Sequence, residues 1–176
     1  MAALSLPAAA EATVVDSTFE NLTFANGSLA IDVDGNGTTD FSLYANGVYA
    51  YLQVYNNGSL HLFDNTADLT NFAFGEEIST LGGGTMGYFD SFVNGAGYVG
   101  VTFEREGLDY AGWLHFDFTG MDTWRDGILT AGAWESVAGE SIAAGATAIP
   151  EPAHVAAGFG LFAGLAAWLR RRGAKR

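Results

Sequence analysis

Tyr98-Val99-Gly100-Val101-Thr102-Phe103 and, ten residues on, Trp113-Leu114-His115-Phe116-Asp117-Phe118 decide the fold class. Side chains of an extended chain alternate between two faces. Val99, Val101 and Phe103 therefore share one face of a strand, and Leu114, Phe116 and Phe118 share one face of the next. Leu29, Ile31 and Val33 repeat the pattern. Asn-Gly pairs at 26–27, 36–37, 46–47, 57–58 and 94–95 punctuate the chain, and both residues tolerate the positive φ of hairpin turns. The pattern predicts strands over 13–19, 28–33, 40–44, 47–55, 59–63, 86–93, 97–106, 111–118 and 127–134. Outside the C-terminal tail no window keeps a 3.6-residue period over three turns. The expectation is an all-β fold, an antiparallel β-sandwich of jelly-roll-like kind, followed by a single C-terminal hydrophobic helix.

Composition agrees. The 176 residues are 49% apolar and 14% aromatic, which excludes a disordered chain despite a formal charge of −13. With 24 Gly and 3 Pro, tight turns are favoured over long helices. Cysteine is absent, so disulfides, thiolate zinc sites and cysteine nucleophiles are excluded. Five of the seven basic residues lie in the last seven positions. Residues 13–149 hold 18 acidic and two basic side chains, a balance of −16, with no lysine. Such a body repels phosphates, so nucleic acid is not an expected partner, and it attracts cations.

One loop has the chemistry to hold a cation. Asp32-Val33-Asp34-Gly35-Asn36-Gly37-Thr38-Thr39-Asp40 places oxygens at alternate positions. Hard cations take six to eight oxygen ligands. Asp32, Asp34 and Asn36 converge when the chain curls, Gly37 permits the sharp turn that brings in the Thr38 carbonyl, and Asp40 supplies a later ligand. The flanks read as strands, and Leu43 stands where an EF-hand has its bidentate Glu, so this is not an EF-hand. Three carboxylates without a basic neighbour in sequence would repel one another unless a cation, calcium by this ligand chemistry, sat between them. An ordinary acidic turn also favours Asp, Asn and Gly.

Other constellations are weaker. Glu104, Glu106, His115 and Asp117 fall on the polar side of two neighbouring strands and, with a favourable register, would share one surface, as paired carboxylates of a glycosidase do. The simpler reading is the solvent face of a half-buried hairpin. Arg105 points to the apolar side, where a buried acid would be its partner. His61, His115 and His154 are too scattered for a zinc motif. Gly82-Gly83-Gly84 lacks the residues of a phosphate loop and reads as a turn. Trp113, Trp124 and Trp134 have the shape for sugar stacking, with core packing the competing use; Trp124, in a polar loop, is the best candidate for an exposed sugar contact. No catalytic set emerges, and the expectation is a protein that is not an enzyme.

The ends differ from the body. Residues 2–12 read as the second half of a secretory signal peptide, with Ala10 and Ala12 suited to cleavage after Ala12 or, alternatively, Ala8 and Ala10 to cleavage after Ala10. Near the other end, Pro150-Glu151-Pro152 precedes the apolar segment 153–169, which is followed by Arg170, Arg171 and Arg172. As a helix that segment spans about 25 Å, near the lower limit for a bilayer. Gly160 and Gly164 suit close helix packing, Trp168 suits the interface, and the arginines belong on the cytoplasmic side. The division is thus a signal remnant at 1–12, a sandwich with the calcium-like loop at 13–149 and a tail at 150–176.

This tail resembles the PEP-CTERM sorting signal of Gram-negative bacteria. The resemblance implies cleavage near Pro150-Glu151-Pro152 by an exosortase, a transient inner-membrane anchor through the C-terminal helix, and delivery to the cell surface or extracellular matrix. It further implies association with exopolysaccharide and biofilm matrix. Tyr110-Ala111-Gly112-Trp113 and the Ile142-Ala143-Ala144-Gly145 ending resemble the late part of a body domain that recurs in such proteins, although Ala111 interrupts its Tyr-Gly-Trp. That resemblance implies a β-sandwich and no catalytic activity. The expected role is structural or adhesive, with a lectin-like carbohydrate-binding module as the alternative and a glycan-acting enzyme third.

Overall fold

The computed structural model describes residues 12–148 apart from 20, 26, 47–48, 63–65, 93–94 and 120–125. The segment before residue 12, the tail from 149 onward and Trp124 lie outside the described residues.

Two antiparallel sheets face each other. In the larger, β6 (Gly58–Leu60), β9 (Ala96–Arg105), β10 (Leu108–Asp117) and β11 (Asp126–Glu135) run side by side. The outer edge of β11 is shared by β1 (Val14–Asp16) and β2 (Leu22–Ala25). The smaller sheet is β3 (Gly27–Ile31), β4 (Phe41–Ala45), β5 (Ala50–Val54) and β8 (Met86–Tyr88), in that order. Phe41, Leu43 and Leu52 of the smaller sheet meet Val99, Val101, Phe103, Leu114 and Phe116 of the larger in one core. Full burial of such a side chain contributes about 1.5–3 kcal/mol. Phe89 joins the sheets at one end, its ring centroid 4.8 Å from Phe116 and 5.3 Å from Phe118.

The all-β antiparallel expectation holds, but the strand order is not that of a jelly roll. Consecutive strands stay in one sheet as two meanders, β3-β4-β5 and β9-β10-β11, because short connections keep neighbours adjacent. The β9–β10 turn is Glu106-Gly107, with φ of 56° and 79°, the signature of a two-residue type I′ turn. Only some Asn-Gly pairs make hairpin connections. Gly27 and Gly58 instead open strands that lie in a different sheet from the strand before them, so those pairs mark corners between sheets.

A third layer covers part of the larger sheet. The pair β7 (Glu77–Ile78) and β12 (Ile142–Ala143) lies over its outer face, where Ile78, Ile142 and Phe72 bury Ala111, Trp113 and Ala133. The indole N–H of Trp113 donates to the Ala146 carbonyl at 3.1 Å. A Cβ on Gly100 would lie 2.9 Å from the His61 and Phe72 rings, so glycine is what lets this layer approach. The central residues of β9 and β10 are therefore buried on both faces, where sequence alternation predicts one wet face.

Candidate metal centre

Residues 32–40 connect β3 to β4, and the paired Ile31 and Phe41 close the loop as buried neighbours. Val33 is fully buried and anchors the loop to the core. Gly35 and Gly37 adopt φ of 72° and 88°, a left-handed region that costs glycine little. The resulting curl lets side-chain oxygens take the loop's own N–H groups. Asp32 Oδ1 accepts from Gly35 N at 2.8 Å and Asn36 N at 3.2 Å, and its Oδ2 accepts from Gly37 N at 2.7 Å. Asp34 Oδ1 accepts from Asn36 N at 3.1 Å, and Asp40 Oδ2 from Val33 N at 2.7 Å.

One oxygen each from Asp32, Asp34 and Asp40 lies within 4.8 Å of the other two. A carboxylate has about four lone-pair directions, so these hydrogen bonds leave each of the three able to accept more. The donor set suits a hard divalent cation. Asn36 and Thr38, the other expected ligands, are tied into the same turn. Asn36 Nδ2 donates to Asp34 Oδ2 at 3.0 Å, and Asn36 Oδ1 accepts from Thr38 N at 2.7 Å. Asp40 is 4% exposed, and that burial, with the charges of Asp34 and Asp32, pushes its carboxyl up to about 6 against the Val33 N–H.

Three other segments clamp the loop. Ser17 Oγ donates to the Val33 carbonyl at 2.8 Å. Tyr55 N donates to the Asp40 carbonyl at 2.8 Å, and Asn56 Nδ2 to the Thr39 carbonyl at 2.7 Å. The third clamp is a cation. Arg105 Nε stands 3.6 Å from Asp34 Oδ2, and the Asp34 side chain is fully buried. The guanidinium carbon also lies 5.3 Å from the centroid of the Trp134 ring. This corrects the expectation of a carboxylate cluster with no basic partner. The buried acid expected opposite Arg105 is thus Asp34, and the β9 register makes the pairing by carrying Arg105 to the sandwich end where the loop sits.

Comparison with known proteins finds no matching family, no matching curated protein and no matching solved structure.

The remaining candidates are dispersed. Glu104 pairs in register with Asp109 and His115 with Tyr98, six residues away along β9, which is about 20 Å of strand. Glu106 forms the turn tip. The four side chains of the glycosidase-like reading are thus not brought together. His115 Nδ1 lies 2.6 Å from Thr130 Oγ1, and burial lowers its pKa. His61 Nε2 lies 2.9 Å from the Ser79 carbonyl, and burial lowers its pKa as well. Trp113 and Trp134, at 4% and 6% exposure, are core residues rather than sugar contacts. Among the described residues no helix is long and apolar enough to cross a membrane. The sorting residues Pro150, Glu151, Pro152, Arg170, Arg171 and Arg172 lie outside the described residues, as does Trp124.

Proposed function

We propose that this is an exported bacterial surface or matrix protein, sorted by an exosortase and stabilised by calcium, with a structural or adhesive role in exopolysaccharide. One observation carries the reading: Pro150-Glu151-Pro152, an uncharged apolar segment and an arginine cluster follow in order on an acidic β-rich body. The segment 153–169 crosses the inner membrane as a helix, and the arginines hold its end in the cytoplasm until cleavage. Intact-mass measurement of the protein released by a host with an exosortase tests this. The mature chain should end near Pro150-Glu151-Pro152, and uncharged replacements of Arg170, Arg171 and Arg172 should cause missorting. A released chain that still carries Arg176 would contradict the proposal.

In the matrix, calcium links the acidic body to acidic polysaccharide. The three converging carboxylates support this reading, and the body's balance of −16 argues against direct attraction to a polyanion. Retention should be abolished by chelator and untouched by Trp124→Ala. Chelator-resistant retention of folded protein would overturn it.

A further inference from the structure

The outer face of the smaller sheet holds a cluster of tyrosines that neither the core nor the loop uses. Tyr44 pairs in register with Tyr51, and Tyr51 with Tyr88, so three phenols form a row across β4, β5 and β8. Ring centroids are 5.2 Å apart for Tyr44 and Tyr51 and 5.9 Å for Tyr51 and Tyr88. Tyr49, 36% exposed, adds a fourth ring 5.9 Å from both Tyr51 and Tyr88. Alternation along β4 and β5 turns Phe41, Leu43, Ala50 and Leu52 into the core and leaves Tyr44 and Tyr51 outside. Ser42 and Gln53, paired in the next row, share that outer face.

The strands of this sheet, GSLAI, FSLYA, AYLQV and MGY, contain no Asp, Glu, Lys, Arg or His. In a body with a balance of −16, these strands offer aromatic rings, hydroxyls and an amide without a charge of their own, and the acid that borders the row is Asp68, bridged to Tyr88 at the edge of β8. An acidic polymer finds no cation here to hold it. A second copy of the chain finds too little area. Three strands of five residues and one of three, about 4.8 Å apart, make a face of at most roughly 300 Å². A stable dimer needs about 800 Å² from each partner. A sugar chain without charge matches on both counts, because its C–H faces pack on aromatic rings while its hydroxyls bond to phenols and amides. Two strand spacings give the tyrosine row about 10 Å, long enough to meet more than one sugar unit.

The geometry points to Tyr44, Tyr49, Tyr51 and Tyr88 as a binding platform for a neutral polysaccharide. This deepens the matrix reading by naming a second polymer class, and it needs neither processing nor calcium bridging, so each can fail alone.

The test is affinity electrophoresis of the full chain in calcium-containing buffer and a polyoxyethylene detergent, which has no sugar headgroup. The gels contain hydroxyethyl cellulose, mixed-linkage β-glucan, galactomannan or dextran, with alginate as the acidic polymer. At least one neutral polymer should retard the protein. Tyr51→Ala and Tyr88→Ala should each weaken that retardation about tenfold or more, and Tyr51→Phe less than about threefold, since the ring remains. Melting curves identify any variant that loses the fold, and Tyr49→Ala, outside the strands, provides an independent loss of binding. Retardation by no neutral polymer would overturn the platform, as would retardation that survives Tyr51→Ala and Tyr88→Ala. So would a concentration-dependent dimer that Tyr51→Ala dissolves without any glycan binding. Alginate retention lost on chelation bears on calcium bridging alone.

Discussion

Arg105 and Asp34, 71 positions apart in sequence, meet at the end of the sandwich with Nε 3.6 Å from Oδ2. The guanidinium carbon also lies 5.3 Å from the centroid of the Trp134 ring. The acidic loop is thus partly neutralised from within, and a cation entering it meets a guanidinium close by. Arg105→Gln removes that positive neighbour and should raise calcium affinity about two- to fivefold, the equivalent of a partly exposed charge pair worth up to about 1 kcal/mol. The calcium-free fold should lose stability by a similar amount, because Asp34 keeps its buried position without its partner. Calorimetric titration and chelator melts measure both, and an affinity lowered by Arg105→Gln would reject the competition.

Calcium itself should stabilise the body. At a concentration about a hundred times Kd, one site adds about 2.7 kcal/mol when the unfolded chain does not bind. For a body of this size that is a rise of about 5–10 °C in Tm. Asp32→Asn should remove most of the difference between melts in calcium and in chelator. Superimposable melts of the unaltered protein, with no heat on titration, would exclude the site.

Asp40 makes the calcium-free protein sensitive to pH. Its carboxyl titrates near 6 when folded, against 3.8 as an ordinary aspartate. Between those values the folded state binds more protons than the unfolded state, so stability falls as pH rises. The contribution is fully present below pH about 3.8 and lost above about 6, and is at most about 3 kcal/mol. In chelator, Asp40→Asn should flatten this part of the pH profile and raise Tm at pH 7. Its amide oxygen still accepts from Val33 N while the buried charge is gone. An unchanged slope between pH 4 and 6 would assign the effect to other acids.

The third layer depends on Gly100. Gly100→Ala places a methyl 2.9 Å from the His61 and Phe72 rings and 3.0 Å from Ile78. Those rings are packed edge to face, and His61 is hydrogen-bonded to Ser79, so they yield poorly. Overpacking of this kind costs about 1–3 kcal/mol. Hydrogen exchange should quicken at Ile78 and Ile142 while β4 and β5 stay protected. Uniform protection in the variant would show that the layer accommodates the methyl.

Alternation alone determined much of this protein. Val99, Val101 and Phe103, and Leu114 and Phe116, line the core as their period of two requires, because a half-buried strand leaves little freedom about which residues face inward. The acidic loop was equally legible, since Asp32, Asp34 and Asp40 lie close in sequence and Gly35 and Gly37 supply the left-handed conformations that a curl needs. Local order did not reveal β2, β7 and β12, which are too short to show a period and exist because neighbours pair with them. The two-residue turn at Glu106-Gly107 was likewise hidden, since its register is held by the long β9–β10 ladder rather than by Asn-Gly chemistry. Tertiary structure decided the rest: that Arg105 reaches Asp34, that a small layer dries the outer side of Trp113, and that Tyr44, Tyr51 and Tyr88 form one row. Each is a relation between distant strands, set by register and by how sheets stack, and the side-chain pattern of a single strand holds no record of its partner.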